Sequence, residues 1–147
     1  RKAKYRVLYP VSATYLCGCV VEIKPLKIRV GEQSLSLQGF LADCKTFYYD
    51  TNSKGEAYYL AAILNSSIID KLIKPLQSRG LWGPRDICKK LWEFPIPRYD
   101  PSNGAHRALS RLGEECSRKV EGLIAEGFKS RSIGHTKVDK GPDRGGN

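Results

Sequence analysis

An apolar helix in the middle of the chain is the feature that most limits the folds open to this sequence. Ser53 and Glu56 stand three residues apart in SKGE, the spacing of a capping box that starts a helix. From Glu56 to about Ile73, apolar residues then recur at helical spacing and share one face: Leu60, Ile63, Leu64, Ile68 and Leu72. Because such a stripe must be buried against another layer, we expect one long helix packed on a sheet.

The segments that would form this sheet come before the helix. They are short, rich in β-branched and aromatic residues, and bounded by turn-forming residues. They are Tyr5–Tyr9, Thr14–Ile23, Lys27–Val30, Ser34–Leu37 and Lys45–Tyr49. A turn at Gly31 would join the third and fourth segments into a hairpin. The sequence therefore predicts an α+β fold, in which a small mixed or antiparallel sheet packs against the long helix.

The chain has five cysteines and two histidines, and neither set has the spacing of a metal site. No CxxC pair occurs, so no zinc site is expected. An odd number of cysteines without a secretory signal favours reduced thiols and a cytoplasmic protein. Cys17 and Cys19 would share one face of a buried strand, where we expect them to be packing residues. Apolar runs fall short of the ~20 residues of a membrane span, so no membrane contact is expected.

The central helix leads into a basic and aromatic loop, SRGLWGPRDICKKLWEFPIP, at Ser78–Pro97. Gly80 and Gly83 permit tight turns and Pro84 favours the start of a short helix, so Trp82 is expected on a stiff, exposed tip. An indole among cations suits nucleic acid, since phosphates attract the charges and bases stack on the ring. The candidate contacts are Arg79, Gly80, Trp82, Gly83, Arg85, Lys89 and Lys90, flanked by Lys45 and Tyr15.

Charge is concentrated around this loop. The whole chain carries a net charge of +10, and the segment Lys71–Arg98 contributes seven basic and two acidic side chains. The helical region from His106 to Glu126 is neutral, with four of each sign. A polyanionic partner is therefore expected at the loop. The plainer interpretation is that Trp82 folds back onto the domain and the cations form an ordinary solvated face.

After the loop we expect a brief strand at Trp92–Ile96 and then a long helix, for which Asp100 and Ser102 are candidate starts. The helix carries an apolar stripe at close to coiled-coil spacing. Its members are Leu109, Leu112, Cys116, Val120 and Leu123. This stripe could dock on the domain or pair with a helix of another domain or subunit. The expected division is a recognition domain at 1–100, a spacer-like helix at 101–128 and a flexible basic tail at 129–147.

No catalytic constellation is recognisable in the sequence. Methylation of a base amino group needs a (D/N/S)PP(Y/F) motif and a glycine-rich loop for the methyl donor, and neither is present. Glu22 and Lys24 supply the ExK of a metal-dependent nuclease, but no acidic residue precedes them. His106 and His135 have no carboxylate or nucleophile at a telling spacing. We therefore expect no catalysis by this chain alone.

The run from Glu56 to Pro101 is similar, as a whole, to the C-terminal target-recognition region of N6-adenine DNA methyltransferases from restriction–modification systems. The shared features are an LNS helix, a glycine-bearing loop, a PIP segment and a long helix from near His106, in this order and at similar spacing. The layout is also similar to the recognition domains of type I specificity subunits. The resemblance covers roughly residues 40–126.

This resemblance implies recognition of double-stranded DNA by a non-enzymatic specificity domain. The second implied partner is a catalytic methyltransferase domain or subunit, which would bind S-adenosylmethionine. For the recognition domain itself, the resemblance implies no cofactor. Two alternatives stay open: a protein-interaction module that uses the Leu109–Leu123 stripe and Trp82, and a general RNA-binding domain. Salt titration of DNA affinity, tests of dimerisation and competition by single-stranded RNA separate the three.

Overall fold

The computed structural model describes residues 3–37, 39, 42–77, 79–80, 83–84 and 86–127, with the backbone alone at 79, 80, 83, 84 and 88–90. In chain order, the elements are β1 (Tyr5–Pro10), β2 (Cys19–Glu22), β3 (Leu26–Val30), β4 (Gln33–Leu37), β5 (Thr46–Thr51), α1 (Lys54–Leu64), α2 (Ser67–Ile73), a 3-10 helix (Lys74–Leu76), β6 (Arg79–Gly80), β7 (Gly83–Pro84), a second 3-10 helix (Cys88–Glu93) and α3 (Gly104–Ala125). The predicted α+β class is confirmed.

The central sheet has the strand order β2–β1–β5 and is antiparallel throughout. Alternate residues of β1 point to opposite faces. Val7 and Tyr9 are buried in the core, which they share with Leu60 and Leu64 of α1. The other face is polar around Arg6, whose guanidinium makes two hydrogen bonds to the Asp50 carboxylate, at 2.7 and 2.8 Å. The expected packing of a helix on one face of a small sheet is therefore confirmed.

The predicted strand at Thr14–Ile23 is confirmed only in its second half, where β2 lies. Ahead of β2 the chain dips inward at Leu16, which is 6% exposed. The prediction that Cys17 and Cys19 are packing residues is wrong, because both side chains are exposed. The segment is irregular because helix side chains, described below, bind its backbone in place of a neighbouring strand.

The predicted single helix from Glu56 to Ile73 is two helices. Its start is confirmed, since the Ser53 hydroxyl accepts a hydrogen bond from the Glu56 amide at 3.2 Å. Ser66 then caps α2 by accepting from the Ile69 amide at 3.3 Å. The break rotates the second half of the predicted stripe away from the core. Ile68 is consequently 68% exposed, and Ile73 at the end of α2 is fully buried.

The region after the loop differs from the prediction. Pro84 lies in β7 and does not start a helix, and the short helix in this region is the 3-10 helix Cys88–Glu93. The predicted strand Trp92–Ile96 is wrong: Trp92 belongs to this 3-10 helix, and the residues from Pro95 to Asp100 have no regular structure. Proline at 95 and 97 removes two amide donors that a strand would need.

The C-terminal helix α3 begins after Asn103, not at Asp100 or Ser102. The Asn103 side chain accepts from the amides of Ala105 and His106, at 2.9 and 3.4 Å. Its buried face against α1 is made by the small residues Ser110 and Gly113, and the Leu109–Leu123 stripe lies beside this contact and is exposed. The predicted tail at 129–147 lies outside the described residues.

The hairpin predicted around Gly31 is confirmed as β3–β4. Gly31 adopts a φ of 62°, which favours glycine. Leu26 pairs with Leu37 and Ile28 with Leu35, so the strands are in register along their whole length. Every residue of both strands is exposed, and the hairpin is a two-stranded ribbon that is separate from the central sheet.

Candidate nucleic-acid interface

The basic loop is anchored at one end of the central sheet. Just beyond β1, the Val11 amide donates to the Lys45 carbonyl at 2.9 Å, and the Val11 carbonyl accepts from the Ile87 amide at 2.9 Å. Ser12 forms an isolated bridge with Asp86. Ile87 is fully buried and fixes the outgoing end of the loop in the core. The loop therefore emerges where β1 ends and β5 begins.

Within the loop, the backbone of β6 pairs with that of β7, and Gly80 lies opposite Gly83. This pairing agrees with the tight turn expected from the two glycines. Trp82 and Arg85 lie outside the described residues. The same holds for the side chains of Arg79, Lys89 and Lys90, whose backbones lie in β6 and in the second 3-10 helix. Their contacts with nucleic acid stay predictions.

The two flanking candidates, Lys45 and Tyr15, lie at this same end of the sheet. Lys45 precedes β5 at a turn in which the Thr46 amide donates to the Asp43 carbonyl at 2.9 Å. Its side chain is exposed and has no ion-pair partner among the described residues. Tyr15 lies in the connection from β1 to β2 and is 67% exposed. Because β1, β2 and β5 are antiparallel neighbours, that connection and the start of β5 share one end.

A residue that was not predicted as a contact, Lys74, completes this surface. Its Nζ lies 4.7 Å from the centroid of the Tyr15 ring, within the range of a cation–π contact. Nζ also binds the Asp70 carboxylate at 2.7 Å. Asp70 accepts from the Leu16 amide at 3.1 Å through its other oxygen. The hydrogen bond from Lys74, together with that from Leu16, holds the pKa of Asp70 below its ordinary value.

The LNS segment, Leu64–Ser66, fixes the connection that carries Tyr15. Asn65 donates to the Gly18 carbonyl at 2.7 Å and accepts from the Gly18 amide at 3.1 Å, as a neighbouring strand would. The contact is close, since a Cβ at Gly18 would lie 2.9 Å from Leu64 Cδ1. The three LNS residues thus have separate structural roles: core packing, backbone binding and capping of α2.

The PIP segment is held on α1. The Tyr59 hydroxyl donates to the Pro97 carbonyl at 3.0 Å, and the Tyr59 ring lies 5.5 Å from that of Tyr99. Ile96 is half-buried against the core. LNS therefore holds the β1–β2 connection and the start of α2, which leads into the basic loop. PIP holds the chain that leaves the loop on α1. In both segments the role is to position neighbouring parts of the chain.

Arg6, in β1, is a poor candidate for DNA contact. Its guanidinium binds Asp50 in a bidentate pair and lies 4.2 Å from the centroid of the Tyr48 ring. The hydrogen bonding to Asp50 raises the pKa of Arg6 above its ordinary value. Its charge is compensated within the fold, in contrast to that of Lys45.

The exposed stripe of α3 lines an apolar groove of about 960 Å³. The opposite walls are the end of α1 and the connection from β1 to β2. Lining residues include Leu112, Cys116 and Val120 of α3, Ala62 of α1, and Cys17 and Cys19. The intramolecular contact with α1 is made by the neighbouring face, so the stripe does not dock on the described part of the domain.

Within the described ranges, no three His, Cys, Asp or Glu side chains are placed to share a metal ion. No described helix combines the length and the apolar character needed to cross a bilayer. Comparisons with protein-family models, curated proteins and solved structures give no match for this chain.

Proposed function

We propose that this chain recognises double-stranded DNA as the target-recognition domain of an N6-adenine DNA methyltransferase. The observation that carries the proposal is the surface at one end of the central sheet. There the exposed ring of Tyr15 and the side chain of Lys45 lie next to the point where the strongly basic loop is hydrogen-bonded to the sheet. Lys45 has no ion-pair partner among the described residues. The order of the LNS, loop and PIP segments supports the assignment to this class of domain.

In this proposal the rigid sheet and α1 hold the surface, and the loop approaches the duplex. Lys45 binds a phosphate, and Tyr15 packs on a sugar or base. Lys74, whose charge is paired with Asp70, holds the Tyr15 ring in place. The arginines of the loop, Arg79 and Arg85, reach guanine edges or phosphates, since a guanidinium can donate two hydrogen bonds to guanine. Methyl transfer belongs to a separate catalytic domain or subunit, which binds S-adenosylmethionine. Such a pair of partners would act in the cytoplasm.

The direct test is equilibrium binding of the chain to mixed-sequence duplex DNA over a range of salt concentrations. Because bound phosphates release counterions, the logarithm of the affinity should fall linearly as the logarithm of the salt concentration rises. Single-stranded RNA serves as the competitor. Binding that is absent, or that single-stranded RNA displaces more effectively than duplex DNA does, would contradict the proposal; the second result would favour an RNA-binding domain.

A second candidate function is self-association through α3, and the exposed stripe favours it. The stripe presents Leu112 and Val120 at 54% and 53% exposure next to the apolar groove. The helical region from His106 to Glu126 has equal numbers of acidic and basic residues, so two copies would meet without net repulsion. In this second candidate function, the stripe of one chain packs against α3 of a second copy.

Sedimentation of the chain tests this second candidate. A dimer that persists at high salt and is lost in Leu112→Ser/Val120→Ser supports it, because apolar contacts are insensitive to ionic strength. A chain that stays monomeric at all concentrations contradicts it. The matched control is Arg111→Ser/Arg118→Ser, which alters exposed positions of the same helix outside the stripe.

A further inference from the structure

The β3–β4 ribbon has two chemically different faces. On one face the apolar residues pair across the strands, with Leu26 opposite Leu37 and Ile28 opposite Leu35. On the other face Lys27 lies opposite Ser36 and Arg29 opposite Ser34. Cross-strand apolar pairs stabilise a ribbon. The apolar pairs on one face therefore help to hold the two strands together, and the basic side chains lie on the opposite face of the same ribbon.

The basic face carries two cations that no described acid neutralises. Among the described residues, neither Lys27 nor Arg29 has an ion-pair partner, and the residues directly opposite them are serines. Both side chains are exposed. The nearest acid along the ribbon is Glu32 in the turn, where it follows Gly31. Two cations flanked by two hydroxyls form a surface of hydrogen-bond donors, which suits phosphates and base edges.

The dimensions of the ribbon suit a DNA groove. The major groove of B-DNA is about 12 Å wide and admits a two-stranded ribbon, whose strands lie about 5 Å apart. The ribbon leaves the central sheet after β2 ends opposite Tyr5, at the end remote from Lys45. The six residues of β1 span about 20 Å, less than the ~34 Å helical turn of DNA. One duplex can therefore lie along the sheet and reach both ends.

We propose that the β3–β4 ribbon is a second DNA-contacting element, which enters the major groove with Lys27, Arg29, Ser34 and Ser36 facing the duplex. This inference rests on the proposed function, because it requires that the chain binds duplex DNA. It adds a contact that is separate from the basic loop, at the opposite end of the sheet. The ligand is one duplex spanning both surfaces.

The test compares two variants that each remove two positive charges, Lys27→Ala/Arg29→Ala on the ribbon and Arg118→Ala/Lys119→Ala on α3. Affinity for a mixed-sequence duplex is measured over a range of salt concentrations. The ribbon variant should bind about tenfold more weakly, and its salt slope should be smaller by about 2. The α3 variant should bind like the wild type. Circular dichroism checks that both are folded, and Lys27→Gln/Arg29→Gln replaces the alanine variant if that one is not.

A second readout locates the contact in the major groove. In a duplex with glucosylated 5-hydroxymethylcytosine, the sugars fill that groove. The loss of affinity caused by glucosylation should be larger for the wild type than for the ribbon variant, since the variant has already lost the ribbon's contacts in the groove and keeps only those of the loop. Equal losses for the two proteins would overturn the groove assignment.

The outcomes separate this inference from the proposed function. If the wild type does not bind duplex DNA, the proposed function fails and the ribbon inference fails with it. If the wild type binds and the ribbon variant matches the α3 variant, only the ribbon inference is overturned.

Discussion

At the residue scale, the geometry of the interface depends on side chains that bind backbone. Asn65 makes hydrogen bonds to both polar groups of Gly18 and a third to the Ala61 carbonyl at 2.8 Å. Asp70 accepts from the Leu16 amide and pairs with Lys74. Together these two side chains determine where the β1–β2 connection lies, and with it the ring of Tyr15.

Replacing Asn65 should therefore destabilise the fold and loosen this connection. We expect Asn65→Ala to lower the free energy of unfolding by about 1 to 3 kcal/mol, because three hydrogen bonds are lost and the Gly18 backbone groups must find water. Chemical denaturation measures the change. Asn52→Ala is the matched control, since Asn52 is exposed and makes no hydrogen bond among the described residues. Equal stability of the two variants would rule out the bracing role.

The lowered pKa of Asp70 predicts a dependence of stability on pH. A carboxyl whose pKa is lower in the folded protein stabilises the fold at neutral pH, and this contribution is lost as pH falls through its folded pKa. Asp70→Asn keeps an acceptor for the Leu16 amide and removes the charge. We expect the variant to be less stable than the wild type at pH 7 and the gap to close below about pH 4. Thermal melting across pH measures the gap; one that widens in acid would refute the assignment.

At the element scale, the sequence predicts most elements correctly where a local signal decides them. The capping Ser53, the Gly31 turn and the β1 and β5 strands follow from such signals. The break after Leu64 does not, because Ile63, Leu64 and Ile68 continue a helical period across it. Asn65 and Ser66 can occupy the interior of a helix, but in this fold they separate α1 from α2. Asn65 binds the Gly18 backbone and Ser66 caps α2, and these hydrogen bonds favour the break. That competition is decided by tertiary contacts.

The sequence pattern also fails to predict which face of α3 packs against α1. The apolar stripe is the obvious candidate for burial, yet α3 packs through Ser110 and Gly113. A Cβ at Gly113 would overlap the Tyr58 carbonyl oxygen. Close approach of the two helices therefore requires the small residue, and this favours the face that hydrophobicity alone does not select.

This packing predicts opposite effects for two glycines of one helix. Gly113→Ala should destabilise the protein by about 1 to 3 kcal/mol, because α3 must move away from α1. Gly122→Ala should stabilise it by about 0.5 to 1 kcal/mol, since open space surrounds that position and alanine favours a helix. Thermal unfolding of both variants checks the signs. A stabilised Gly113→Ala would show that the two helices are farther apart than described.

At the scale of the whole molecule, the interface joins parts that are distant in sequence. Tyr15, Lys45 and the loop are brought to one end of the sheet by its antiparallel order. The sequence indicated Tyr15 and Lys45 as flanking contacts. Lys74 was missed because its role depends on the ring it faces, and that ring lies far away in the chain. The Asp70 and Lys74 spacing was visible, but it is typical of any exposed helical ion pair.

Positive charge on the ribbon was also visible in the sequence as alternating Lys27 and Arg29. Its significance depends on pairing, since the register places serine, and no acid, opposite each cation. The net charge of +10 favours a polyanion in general. Lys27 and Arg29 lie on the ribbon that leaves one end of the central sheet, and Lys45 lies at the other end, as contact with one duplex at both ends would require.

The measurement that tests the central claim most directly is the affinity of Lys45→Ala for duplex DNA over a range of salt concentrations, compared with that of Lys119→Ala. Lys119 lies on the solvent face of α3 and is paired with Glu115 at 2.8 Å, whereas Lys45 has no such partner among the described residues. We predict that Lys45→Ala weakens binding and lowers the salt slope by about 1, while Lys119→Ala binds like the wild type. Identical salt slopes and affinities for the wild type and both variants would contradict the assignment of this end of the sheet as the DNA-binding surface.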